Sequence, residues 1–132
     1  MRAVDTNVLV RLIARDDAKQ LKAAERFVEK GAWVSVLALA ETTWVLAAVY
    51  DRSPLAIATA IEMLLNHRML TLQDPEVVAA ALNTFRKQPS PGFSDCLLLE
   101  LARRGGHLPL GTFDRSLGKL DGAEKLSVRN ID

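Results

Sequence analysis

The sequence predicts an α/β protein whose parallel sheet is covered by helices on both faces. Short apolar segments rich in branched residues alternate along the chain with segments of helical period or composition. Two of the helical segments open on a proline that follows Ser or Asp, the arrangement of a capped first turn. The clearest glycine and proline clusters fall between segments rather than within them. A strand followed by a helix and then another strand calls for parallel pairing, and parallel strands are stable only when both faces are shielded from water.

Taken in order, Arg2 to Val4 is the first expected strand, followed by helices over Asn7 to Ala14 and Asp17 to Lys30. Trp33 to Val36 reads as the second strand, and Leu37 to Tyr50 as a helix that is apolar over more than one face. Ser53 precedes the helix Pro54 to Asn66, and Asp74 precedes the helix Pro75 to Lys87, because a short polar side chain can cap a first turn whose φ proline has already fixed. Met69 to Leu72 lies between them as the third strand. Gln88-Pro89-Ser90-Pro91-Gly92 cannot sustain regular structure and is read as a loop, and Gly105-Gly106 ends the helix Ser94 to Arg104. His107 to Leu110 and Leu126 to Val128 complete a set of about five strands. No composition shift, internal repeat or low-complexity tract divides the chain, so 1–132 is read as one domain.

Composition narrows the function. With 49% hydrophobic residues, 25% charged and a formal net charge of +1, the chain is neither a disordered tail nor a polybasic arm. Contact with a polyanion would need a local basic patch, because the global field is nearly neutral. Cys96 stands alone, which excludes an intramolecular disulfide and a cysteine-built zinc site and suits a reducing cytoplasm. The apolar run Val34 to Ala40 is too short to span a bilayer, and the N-terminus has no long apolar stretch with a cleavage site, so neither membrane insertion nor secretion is expected.

Four carboxylates carry the chemistry. Asp5 ends the first strand, Asp114 follows the fourth by a few residues, and Glu41 and Asp95 fall near helix starts. Ligands of open α/β sheets collect beyond the carboxyl ends of the strands, which is where these acids would converge. Glu41 has Leu37, Ala38, Trp44 and Val45 three and four residues away, a greasy helical face on which a charge needs a partner. Like charges about 5 Å apart repel by about 3 kcal/mol at an effective dielectric near 20. Several such pairs would rival a domain's stability of about 5–15 kcal/mol, so either protons or a cation must neutralise the cluster. Oxygen donors without a Cys or His cluster favour Mg²⁺ or Mn²⁺, and in-line hydrolysis of a phosphodiester is the chemistry such an ion supports. Each acid taken singly has a plainer explanation: Asp5 and Asp95 as helix-start acids favoured by the macrodipole, Ser94 and Thr112 as cap or turn residues. Glu100 beside Arg103 and Arg104, Glu25 beside Lys22, and also Glu62 and Glu76, read as surface.

Val4-Asp5-Thr6-Asn7-Val8-Leu9, then Glu41, Ser94-Asp95 and Thr112-Phe113-Asp114 together resemble PIN-domain proteins, and within them the VapC-type toxins of bacterial toxin–antitoxin pairs. The resemblance spans nearly the whole chain. It implies a three-layer α/β/α fold around a parallel sheet of about five strands and a Mg²⁺- or Mn²⁺-dependent endoribonuclease. Asp5, Glu41, Asp95 and Asp114 match the family's acidic quartet, with Asp5 and Asp95 foremost as metal ligands, Glu41 next, and Asp114 on a second ion or acting through water. Asn7 matches a motif asparagine that orients Asp5, and Thr112 a polar position beside the last acid. A small antitoxin whose tail blocks the acidic pocket and a homodimeric state are implied as well.

His67 and His107 lack metal-site spacing, Cys96 reads as a small buried hydrophobe, and Trp33 and Trp44 read as packing residues. Arg115, next to Asp114, and Arg11 are the candidates for holding an RNA backbone. Two other readings compete: a PIN-like scaffold that binds RNA or protein without cutting, and a phosphatase with Asp5 as nucleophile. The second is disfavoured by Asn7, which stands where haloacid-dehalogenase-like enzymes carry another aspartate.

Overall fold

The computed structural model describes residues 1–129. Strand β1 (Arg2–Ala3) leads into helices α1 (Thr6–Ala14) and α2 (Ala18–Val28), then β2 (Ala32–Val34), α3 (Val36–Ala48), α4 (Pro54–Asn66), β3 (Leu70–Leu72), α5 (Pro75–Lys87), α6 (Phe93–Arg104), β4 (Leu110–Thr112) and β5 (Ala123–Lys125), with a 3-10 turn at Leu117–Lys119 between the last two strands. Every pairing is parallel, as expected for strands joined through helices.

The strands form two groups rather than one five-stranded sheet. β1, β2 and β3 pair in that order, and β4 pairs with β5 alone. β1 is only two residues long, because Asp5 already serves as the N-cap of α1, so it offers little ladder beyond its pairing with β2. Register aligns Ala32 with Leu70 and Val34 with Leu72, and all four side chains are buried, while Trp33 and Thr71 between them point outward. The two C-terminal strands differ most from expectation. β4 begins at Leu110 instead of ending there, and β5 lies at Ala123–Lys125, ahead of the apolar Leu126 to Val128. β5 is a partly exposed edge strand fixed by its pairing to β4, with Leu126 N–H extending the ladder to Thr112 C=O at 2.8 Å, so its sequence needs little apolar character.

The helices follow their sequence signals closely, and α4 and α5 have the bounds expected from their prolines. Ser53 caps α4 through its hydroxyl, which accepts from Ala56 N–H at 3.1 Å. Asp74 does not cap α5: it sits in the left-handed region at φ 45° and its side chain makes no capping bond. α6 starts at Gly92, whose φ of 110° favours glycine.

Leu9, Val34, Leu39, Leu46, Ile61, Leu64 and Val78 lie at the centre of one core that draws on α1 to α6 and the β1–β3 sheet. Phe85 and Phe93 meet edge to face at 5.9 Å and join α5 to the start of α6. Glu100, expected at the surface, is buried at 9% exposure, and both arginines expected beside it do pair with it, Arg103 at 3.3 Å and Arg104 at 3.4 Å. Arg103 also donates to Asp121 C=O at 2.7 Å, tying α6 to the turn before β5. This second anchor draws the pair inward. Glu62 is exposed as expected and pairs with Arg86 at 2.8 Å. Among the described residues no helix is long and apolar enough to cross a membrane.

Ile61→Ala, at the centre of the core, is expected to cost about 2–5 kcal/mol of stability. Ser53→Ala should cost about 1 kcal/mol through loss of the α4 cap. Urea denaturation measures both, and equal costs would contradict the burial and capping described here.

Candidate active site

Asp5 stands at the junction of β1 and α1 because the strand stops there and the carboxylate becomes the helix N-cap, accepting from Val8 N–H at 3.2 Å. Asn7 was expected to orient Asp5 by a hydrogen bond. Among the described residues that task falls to the Val8 amide, and Asn7 is instead exposed on a groove between α1 and α2.

Glu41 lies in the second turn of α3 and is solvent-exposed. The greasy face read from the sequence is present but lies in water, because the helix buries a different face. Ala38, Leu39, Thr42, Thr43 and Leu46 point into the core, whereas Leu37, Glu41, Trp44 and Ala48 form one outward stripe at spacings of four, three and four. Leu37 is 67% and Trp44 65% exposed, so Trp44 is not the packing residue the sequence suggested. The Glu41 carboxylate accepts a 3.0 Å hydrogen bond from the Thr6 hydroxyl. Thr6 directly follows Asp5, so this bond ties α3 to the start of α1 and brings the first two acids into one neighbourhood. Sequence reading gave Thr6 no role of its own. Only the packing of α1 on α3 supplies one.

Asp95 sits in the first turn of α6, where the helix dipole favours negative charge. Even so, its carboxyl is held above the ordinary carboxylate range, first by burial and then by the negative charge of Asp114. Asp114 is fixed by a compact turn. Its backbone N–H donates to the Thr112 hydroxyl at 3.0 Å, and its carboxylate accepts from Leu117 N–H at 2.7 Å. Thr112 thus holds the backbone of Asp114 through its hydroxyl. Ser94 is exposed and caps nothing, since Gly92 opens the helix. Cys96 is buried, and burial followed by the charge of Asp95 pushes its thiol up to about 11, which makes it inert at neutral pH.

The four acids thus come as two pairs, Asp5 with Glu41 through Thr6 and Asp95 with Asp114 through space. None of the four makes an ion pair with a basic side chain among the described residues. Nor, among those residues, are three or more acids, histidines or cysteines gathered closely enough to enclose an ion by themselves. The Asp95–Asp114 pair nonetheless fits the donor chemistry of Mg²⁺, which usually takes one or two carboxylates and completes its shell with water and substrate phosphate. Two repelling carboxylates without a cationic side chain between them lose their mutual penalty when a divalent ion arrives.

The two candidate basic residues differ. Arg11 is already engaged: its guanidinium donates to Gln20, to Asp16 at 3.0 Å and to the Tyr50 hydroxyl at 3.1 Å, while Tyr50 donates to Asp16 at 3.0 Å. The Tyr50 hydroxyl, and after it Arg11, lowers the Asp16 pKa. This network holds α1 to the start of α2 and the end of α3, and it occupies the guanidinium read as a candidate phosphate contact. Arg115 is exposed and makes no ion pair among the described residues.

The PIN domain family model matches residues 2–123. Neither the search of curated proteins nor the search of solved structures returned a match.

In metal-free protein, Asp95 binds its proton more tightly when folded than when unfolded. Its contribution to stability is therefore full below the unfolded carboxylate range near pH ~4 and is lost as pH rises through the higher folded value. Asp95→Asn is accordingly expected to melt at a higher temperature than the parent at pH 7 in chelator, with the gap closing in acid. Thermal melts across pH check this, and a variant that is less stable at every pH would refute the raised proton affinity of Asp95.

Proposed function

The chain belongs to the PIN-domain family, a nuclease-type fold family whose members generally use divalent metal ions and act on nucleic acid, and from that premise we propose that residues 1–132 form one domain acting as a Mg²⁺- or Mn²⁺-dependent endoribonuclease, the toxin of a toxin–antitoxin pair. The observation that carries the reading is that Asp5, Glu41, Asp95 and Asp114 stand at strand ends and helix starts without a basic partner among the described residues, Asp95 being partly buried and held above the ordinary carboxylate range first by that burial and then by Asp114. Unpaired carboxylates of this kind, one of them partly buried, support a cation site.

In this reading Asp5 and Asp95 are the foremost ligands, Glu41 is next, and Asp114 would bind a second ion or act through water. A bound ion would lower the pKa of an attacking water and neutralise charge on the phosphate. The chain's own groups do the rest. Thr6 fixes the Glu41 carboxylate by its 3.0 Å bond, Val8 N–H fixes Asp5, and Leu117 N–H with Thr112 fixes Asp114, so the acids keep their places when the charges on them change. Arg115, exposed beside Asp114, would bind a backbone phosphate without regard to base.

The partner proposals have surfaces in their favour. A groove of about 500 Å³ between α1 and α2, lined by Asn7, Val8, Ala24 and Phe27, opens beside the Asp5 end of the site and suits an antitoxin tail. The exposed Val49 at the end of α3 and Leu55 on α4 suit a homodimer contact. Action in the cytoplasm belongs to the same reading, and the lone buried thiol of Cys96 agrees with it.

Purified protein should cleave labelled single-stranded RNA with Mg²⁺ or Mn²⁺ and not with chelator. Asp95→Asn should lower the rate by at least about 100-fold while leaving the fold intact. RNA binding without cleavage under any metal would overturn the enzyme reading in favour of a scaffold. Arg115→Ala should weaken RNA binding and flatten its salt dependence with the melting temperature unchanged, whereas Arg11→Ala should lower the melting temperature. Reversal of that pattern would return Arg11 to the substrate.

A further inference from the structure

The outward stripe of α3 does not end at Glu41. Trp44 lies one turn further along the same face, about 4.5 Å by helical rise, and its 65% exposure is unusual for so large an apolar side chain. Beyond it a groove of about 300 Å³ runs between α3, the start of α4 and the N-terminal end of α6. Trp44 forms one wall, Pro91 and Ser94 another, and Ile57 and Phe93 contribute apolar floor. Arg52, half-buried and without an ion pair among the described residues, is the one charged residue of the lining.

The groove is walled by the two helices that carry acids, although neither Glu41 nor Asp95 lines it. Its α3 wall carries Glu41 one turn before Trp44, and its α6 wall carries Asp95 immediately after Ser94. A ligand lying on Trp44 would therefore reach toward both acid-bearing helices. A void of this size falls at the lower end of the range of about 300–1,000 Å³ typical of small-molecule pockets, enough for a single base and too little for a duplex. An exposed aromatic face beside a lone cation is the combination that binds single-stranded nucleic acid, by stacking one base and holding an adjacent phosphate. A peptide ligand fits less well, because the lining offers no carboxylate and no strand edge to match one.

We propose that this groove is a base-binding subsite for single-stranded RNA, with Trp44 as the stacking platform and Arg52 as the contact to a neighbouring phosphate. The inference rests on the ribonuclease reading and adds to it the place where a nucleotide flanking the scissile bond is held. Because every base has a π-face, the subsite favours unpaired strands over duplexes without demanding a particular base.

The test uses Asp95→Asn protein, to prevent cleavage, in a Trp33→Phe background that leaves Trp44 as the only indole. The probes are a short single-stranded RNA and versions of it with one abasic position. RNA is expected to quench Trp44 fluorescence. Adding Trp44→Ala should weaken binding about tenfold, and Trp44→Phe should restore most of the loss. An abasic position at the right place should weaken the parent by a similar factor and weaken the Trp44→Ala protein no further. Melting temperatures establish that each variant folds, and if Trp33→Phe alone destabilises the protein, anisotropy with the RNA in the Trp33-containing background replaces the fluorescence arm.

Unchanged affinity in Trp44→Ala, or an equal loss toward normal and abasic strands, would overturn the subsite. So would a fall in oligomer size on sedimentation of Trp44→Ala, which would make the stripe an interface between copies. If wild-type protein still cuts RNA in any of these cases, the ribonuclease reading survives. If it neither cuts nor binds RNA, both fall together.

Discussion

The partial burial of Asp95 at the start of α6, with the negative charge of Asp114 acting on it from the turn after β4, is the constraint on which the site depends. Two carboxylates approach each other only if the elements that carry them cannot relax apart, and here each has its own restraint. Asp114 is held by the Thr112 hydroxyl and the Leu117 amide in a turn that β4 and β5 pin from behind. Asp95 is carried by α6, which packs on α5 and α3 and is anchored at its first turn by Phe93 against Phe85. At its far end the buried Glu100 with Arg103 fastens the same helix to the turn before β5. Burial of the ion pair at Glu100 costs desolvation, and its return is position: α6 cannot slide away from the strands that bear Asp114.

α3 performs two tasks with one sequence. Its inner face supplies Leu39 and Leu46 to the core, and the hydroxyls of Thr42 and Thr43, also buried, are satisfied by the Ala38 and Ala40 carbonyls at 2.7 and 2.8 Å. Its outer face presents Glu41 between Leu37 and Trp44. A helix that is apolar all round is usually fully buried, and this one is not. Apolar side chains left in water on either side of an acid are what the proposed nucleotide subsite would cover. The family's nuclease-type character and the unpaired acids thus agree with the physical reading of this one helix.

Much of this was legible in the sequence. Pro54 and Pro75 located two helices to the residue, since proline's fixed φ and missing N–H leave few places it can stand. The strand expected over Met69 to Leu72 lies within a residue of β3, the one over Trp33 to Val36 overlaps β2 only at Trp33 and Val34 because Ser35 already caps α3, and the burial of Cys96 follows from its leucine-rich surroundings. Asp5 at a strand-to-helix junction and Asp95 in a first turn could be placed from local signals alone. β5 could not, because an edge strand of Ala, Glu and Lys is defined by its partner and not by its own side chains.

What the chain by itself determined is the order and kind of its elements and the identity of its unusual acids, because helix caps, prolines and apolar periods act over a few residues. What only the tertiary structure decided is which face each element shows and which distant groups meet. Packing turned Glu41 and Trp44 outward, drew Glu100 inward, engaged Arg11 with Asp16 and Tyr50, joined Thr6 to Glu41 and set Asp95 against Asp114. Those outcomes depend on the relative placement of elements tens of residues apart, and no local preference encodes that distance.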